Sequence, residues 1–119
     1  MTLDQTTAEQ VVDAYLGCWN EPMRRGDVLV DRTCTMNHAR SVDPLADVTG
    51  RAGIDAMLAA TQGEFPRHRF SLDGEVTTHH DLIYWGWVMA GPDDVVLAGV
   101  DVARVDDGQI AFLAGFFRS

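Results

Sequence analysis

The hydrophobic period of this chain changes at Pro66, and that change constrains the fold more than any single motif does. Upstream, Ala8, Val11, Val12, Tyr15, Leu16 and Trp19 recur three or four residues apart, the spacing of one helix face. Downstream, Phe70, Leu72, Gly74, Val76 and Thr78 alternate with Arg69, Ser71, Asp73, Glu75 and Thr77, the spacing of a strand with one buried face. Further strands are expected at about 81–90, 95–105 and 110–117, after a first at 67–79. Gly91-Pro92-Asp93-Asp94 and Asp106-Asp107-Gly108 supply the turns between them. Helices first and a long-stranded meander afterwards predict an α+β fold, with about three N-terminal helices on one face of a curved antiparallel sheet.

Thr6-x-x-Glu9 reads as the capping box of helix one, and Asn20-Glu21-Pro22 as its end. Between Met23 and Arg40 the pattern is ragged; a short second helix and the lead into a strand are expected there. Ser41-Val42-Asp43-Pro44 closes that strand, because proline cannot donate to a ladder. Thr49-Gly50 opens a third helix with Ile54, Met57 and Leu58 on one side, which Gly63 and Phe65-Pro66 terminate. No repeat or linker divides residues 1–119, which read as one domain, and 119 residues leave no room for a second.

Composition narrows the function classes. A formal net charge of −9 repels phosphate backbones and anionic lipid, so neither nucleic acid nor a membrane is an expected partner. All nine cations are Arg, which removes Schiff-base chemistry and a phosphate-loop lysine. Cys18 and Cys34 form no CxxC and read as reduced thiols. With no leader-like start and no long apolar run, a cytoplasmic location is expected.

Asp101 is the most informative residue. It interrupts Val95–Val105, a run apolar on both faces, where a carboxylate loses solvent and either protonates or finds a partner. Arg104 lies an odd number of residues away and points to the other face. A core Asp satisfied by a Tyr, Trp or His of a neighbouring strand accounts for it equally well. Asp43, at a strand end held extended by Pro44, is either a ligand-facing carboxylate or the head of an Asx turn. Tyr15 on the buried helix face is either a packing residue or a hydroxyl donor.

Taken together, Tyr15 in Val12–Asn20, Asp43 in Val42-Asp43-Pro44, the helix start at Gly50–Leu58 and Asp101 in Ala98–Asp101 follow in the order seen in ketosteroid isomerases. Phe65–Phe70, Gly74-Glu75-Val76, His79-His80-Asp81, Trp85-Gly86-Trp87 and Gly115-Phe116-Phe117 resemble the SnoaL-like branch of the nuclear transport factor 2-like superfamily. That resemblance covers nearly the whole chain and implies a cone of helices on a curved sheet.

It also implies a cofactor-independent acid–base enzyme acting on a small apolar carbonyl compound, as an isomerase or polyketide cyclase. Asp43 would be the general base, with Tyr15 and a protonated Asp101 donating to the enolate oxygen. An epoxide hydrolase or dehydratase on the same scaffold, or a non-catalytic ligand-binding or dimerisation module, are the alternatives. His79 and Asp81 share a strand face and form the alternative acid–base pair; one His and one Asp make a poor metal set, so no metal and no cofactor are expected. Trp85 and Trp87, on one face of their strand, are expected to wall an apolar pocket with Trp19, Met57 and Phe117. The superfamily's habit of pairing through the sheet implies a homodimer.

Overall fold

The computed structural model describes residues 2–20 and 35–118. Helix α1 spans Gln5–Asn20 and buries Ala8, Val11, Val12, Tyr15, Leu16 and Cys18, the face its spacing predicts. Its cap differs from expectation. Asp4, not Thr6, closes the N-terminus, its Oδ1 accepting from the Thr7 amide at 2.7 Å. A carboxylate there meets the positive end of the helix dipole, and the Thr7 amide, followed by the Thr7 hydroxyl, holds Asp4 below the usual carboxylate range. The expected short second helix falls outside the described residues, which hold two helices.

Strand β1 (Thr35–Val42) is followed by a short β2 (Asp47–Thr49) and by α2 (Arg51–Glu64). The segment 45–47, expected as loop, thus ends by entering a three-residue edge strand. Four long strands complete the chain: β3 (Arg69–His79), β4 (Leu82–Ala90), β5 (Val95–Asp106) and β6 (Gln109–Arg118). They form one six-stranded sheet in the order β2-β1-β6-β5-β4-β3.

The sheet is mixed where an antiparallel one was expected, because β1 runs parallel to β6. The hairpins fix the sense of β3 to β6 through their tight turns. No turn links β1 to β6, so their relative direction is set only by how the chain returns across the sheet. Curvature enters at Gly74, whose φ of 88° sits inside a register break between Asp73 and Thr77 on β3. A bulge of this kind bends the strand and strengthens its twist.

The helices cover one face of that sheet. Tyr15, Val12 and Leu16 of α1 pack with Val76, Ile83, Trp85, Met89, Ala103 and Leu113 in the main core. A smaller cluster joins Ile54 and Leu58 of α2 to Cys18 and Ala39, with Met57 against it. Gln5 Nε2 donating to the Val76 carbonyl at 2.7 Å, and Asn20 paired with the Phe70 backbone at 2.7 and 2.8 Å, tie both ends of α1 to β3. Among the described residues no helix is long and apolar enough to cross a membrane.

Candidate functional site

The site follows from one row of the sheet. Asp101 on β5 pairs with Trp85 of β4 on one side and with Gly115 of β6 on the other. Ser41 and Val42 of β1 pair with Leu113 and Ala114, which carries Asp43, just beyond the strand, to the level of Gly115. A Cβ placed on Gly115 would lie 2.7 Å from Asp101 Oδ1 and 3.4 Å from Asp43 Cβ. The missing side chain is therefore the space between the two carboxylates.

Asp101 is 6% exposed. Trp87 Nε1 donates to its Oδ1 at 3.1 Å, so the bland reading of a core Asp partnered by a Trp on the next strand also describes it. That partner does not offset burial. Loss of water pushes the Asp101 carboxyl up to about 7, the Trp87 hydrogen bond pulls it down, and the facing charge of Asp43 raises it again. The group is thus divided between acid and carboxylate near neutral pH.

Asp43 is half-buried and heads the Asx turn that its sequence allowed. Its Oδ1 accepts from the Leu45 and Ala46 amides at 2.8 and 2.9 Å, and its backbone pairs with Ala46. Among the described residues no hydrogen bond engages Oδ2. The turn and a chemical role are compatible, since one oxygen holds the loop while Asp43 also lines the cavity. Tyr15 is buried edge-on to Trp19 and Trp85, with ring centroids 6.3 and 5.8 Å away. Burial, followed by the charge of Asp101, holds its phenol well above its ordinary value, although a hydrogen bond with Trp19 works the other way. A hydroxyl in that state remains a neutral donor.

Tyr15, Asp43 and Asp101 line one cavity of about 90 Å³. Of the expected wall residues, Trp19, Trp87 and Phe117 line it. Trp85 and Met57 do not. Trp85, although it pairs directly with Asp101, is fully buried in the core, its Nε1 without a hydrogen bond among the described residues, and Met57 packs on the α2 cluster. His79 is exposed at the β3–β4 turn, where its Nδ1 meets that of His80 at 3.1 Å, and neither it nor Asp81 reaches the cavity. No group of three or more potential metal ligands occurs among the described residues. Sequence reasoning missed Phe70, Leu97, Ser41 and Gly115 as lining residues. Gly115 had no signal in the sequence: counting back from Asp107-Gly108 puts Ala114 opposite Asp101, and a bulge between Arg104 and Val105 shifts the register by one residue to bring Gly115 there.

No family model and no curated protein matches this chain. Solved structures do. A candidate isomerase of the SnoaL-like family from Agrobacterium tumefaciens shares 32% identity, covering 96% of this chain and 99% of its own, with a TM-score of 0.86. A candidate ketosteroid isomerase from Kribbella flavida (16% identity, 98% and 81% covered, TM-score 0.72) has the same fold. So does an LEH-like epoxide hydrolase from Mycobacterium tuberculosis (19% identity, 96% and 84% covered, TM-score 0.69). With a relative matched along nearly the full length of both chains at that identity, and with the row of residues just described on the same cone-shaped scaffold, the chain belongs to the SnoaL-like branch of the nuclear transport factor 2-like superfamily.

Proposed function

We propose that this protein is a cofactor-independent acid–base enzyme that moves a proton within a small apolar carbonyl compound, by isomerisation or aldol-type cyclisation. Asp43 takes the proton next to the carbonyl through the oxygen its turn leaves unused. Tyr15 and the protonated form of Asp101 donate to the oxygen on which negative charge develops. The observation that carries this reading is the pairing of the two carboxylates across Gly115, one partly solvated and the other desolvated and poised near neutrality. A desolvated carboxyl that can keep its proton, set beside a partly solvated one, suits a hydrogen-bond donor working with a base.

Size limits the substrate. A cavity of about 90 Å³ is smaller than the apolar cavity of about 150 Å³ that accepts benzene. The reacting end is therefore a short chain or one small ring, and anything longer extends past Leu45, 81% exposed, and Glu64 into solvent. Incubating the protein with short β,γ-unsaturated ketones in deuterated water and following the α-carbon proton by NMR tests the assignment. Exchange or isomerisation that disappears in Asp43→Asn supports it, and undiminished turnover in that variant overturns it.

The same two carboxylates would suit water addition to an epoxide, with Asp43 activating water and Asp101 protonating the leaving oxygen. Oxygen-18 from solvent in the product distinguishes this chemistry, since an isomerase adds no oxygen. The homodimer implied by the resemblance would pair the sheet faces opposite the helices, where Tyr84 and Phe116 are exposed. Sedimentation equilibrium giving twice the chain mass supports that arrangement, and a monomer removes it.

A further inference from the structure

We propose that Trp87 is a positioning residue: its indole N–H holds Oδ1 of Asp101 as the accepting oxygen and so assigns the carboxyl proton to Oδ2. This inference rests on the reading above only for its consequence in catalysis; the geometry stands by itself. Trp87 lies opposite Gly99 and Asp101 lies opposite Trp85, so Trp87 meets Asp101 along a diagonal between β4 and β5. A diagonal contact requires the indole to lie over the position that separates them. Gly99 makes that possible, since a Cβ there would stand 2.4 Å from Trp87 Cζ2 and 2.7 Å from Cε2. On its other side the same Oδ1 faces the gap at Gly115. Two glycines on neighbouring strands thus shape the slot that holds one oxygen.

The chemistry follows from the donor. An indole N–H can only donate, so the oxygen it contacts must accept. In a neutral carboxyl the carbonyl oxygen is the better acceptor, and the proton belongs to the other oxygen. No described residue hydrogen-bonds Oδ2, and Asp101 lines the cavity, so this hydroxyl is the one free to donate to a ligand oxygen. The groups facing Asp101 are Asp43 from the end of β1 and Tyr15 from α1, with the exposed Glu64 of α2 at the cavity mouth; no Arg or His lines that cavity among the described residues. Asp43 disfavours a second negative charge, and the Trp87 hydrogen bond favours it. Trp87 therefore sets where the proton sits as well as how readily it leaves.

The test follows the indole N–H resonance of Trp87 in 15N-tryptophan-labelled protein, assigned by its loss in Trp87→Phe, across about pH 5 to 9. In the unaltered protein it should move with a midpoint near that of Asp101, about 7, and stop moving in Asp101→Asn. A resonance that stays flat in the unaltered protein overturns the proposal without recourse to any variant's folding, and one that moves unchanged in Asp101→Asn overturns it as well. In Trp87→Phe the Asp101 carboxyl carbon should titrate at a higher pH than in the parent, and the alkaline limb of the rate profile should rise with it. A loss of rate with an unmoved midpoint would mean that Trp87 only packs. If the resonances couple as stated while no carbonyl compound is turned over, the positioning holds and the enzymatic reading falls.

Discussion

Asp43 and Asp101 face one another across Gly115, from the end of one strand and the middle of another two places away in the sheet. That arrangement makes their properties interdependent. The charge of Asp43 adds to the cost that burial already sets on ionising Asp101. Both carboxyl groups line the same small cavity, which is what the proposed donor and base require.

Asp43→Asn should reduce turnover by about 10²- to 10⁴-fold, the range for loss of a general base. The fold should survive. Asn retains a carbonyl oxygen that can accept from the Leu45 and Ala46 amides, so the turn that Asp43 heads is kept. Asp43→Ala would lose both functions, and comparing the thermal midpoints of the two variants separates the turn from the chemistry.

Gly115→Ala should abolish ligand binding while leaving most of the core intact. The added methyl would stand 2.7 Å from Asp101 Oδ1, so the carboxylate must shift or the strands must part. Overpacking of this sort costs about 1–3 kcal/mol. Titration calorimetry with a short-chain nitronate as the enolate mimic reads the first effect and urea denaturation the second; unchanged nitronate binding would mean that the gap is not where a ligand sits.

The strands were legible because two local codes agree. Alternation puts Phe70 and Val76 of β3 on the covered face, and Asp107-Gly108, both at positive φ, sets the pairing next to the last turn, from which a bulge between Arg104 and Val105 shifts the rest of that hairpin by one residue. The parallel β1–β6 contact was not legible, since no local residue pattern encodes the relative sense of strands so far apart. Parity placed Trp85 and Trp87 on one face but could not separate core from cavity. That separation depends on which of them stands opposite Asp101 and which lies diagonal to it. Gly99 and Gly115 carried no sequence signal of their own, because an absent side chain has meaning only against a known neighbour.

Tyr15→Phe should lower turnover by up to about 10²- to 10³-fold, the cost of one donor to a developing oxyanion, with little change in substrate affinity. The ring's packing on Trp19 and Trp85 is retained in Phe. Burial keeps the Tyr15 phenol neutral well beyond its ordinary range, so its activity as a donor should not decline before the alkaline limb set by Asp101. Steady-state rates of both proteins as a function of pH check this: the limb should persist in the variant at reduced height, and its disappearance would assign the titration to Tyr15.

Asp101 should make the protein less stable as pH rises. Its folded carboxyl titrates at about 7 against an ordinary value of 3.8, so between those values the native chain holds a proton that the unfolded chain has released. The stabilisation is complete below about pH 4, declines as pH rises through 7, and is absent above it. The difference corresponds to at most about 4 kcal/mol. Asp101→Asn does not titrate and keeps an oxygen that can accept from Trp87. Urea denaturation should therefore find the variant and the parent similar at acid pH and the variant more stable at about pH 8, with the gap opening across the interval where the parent ionises. Parallel stability curves would mean that Asp101 is ionised throughout, and would remove the neutral donor from the mechanism.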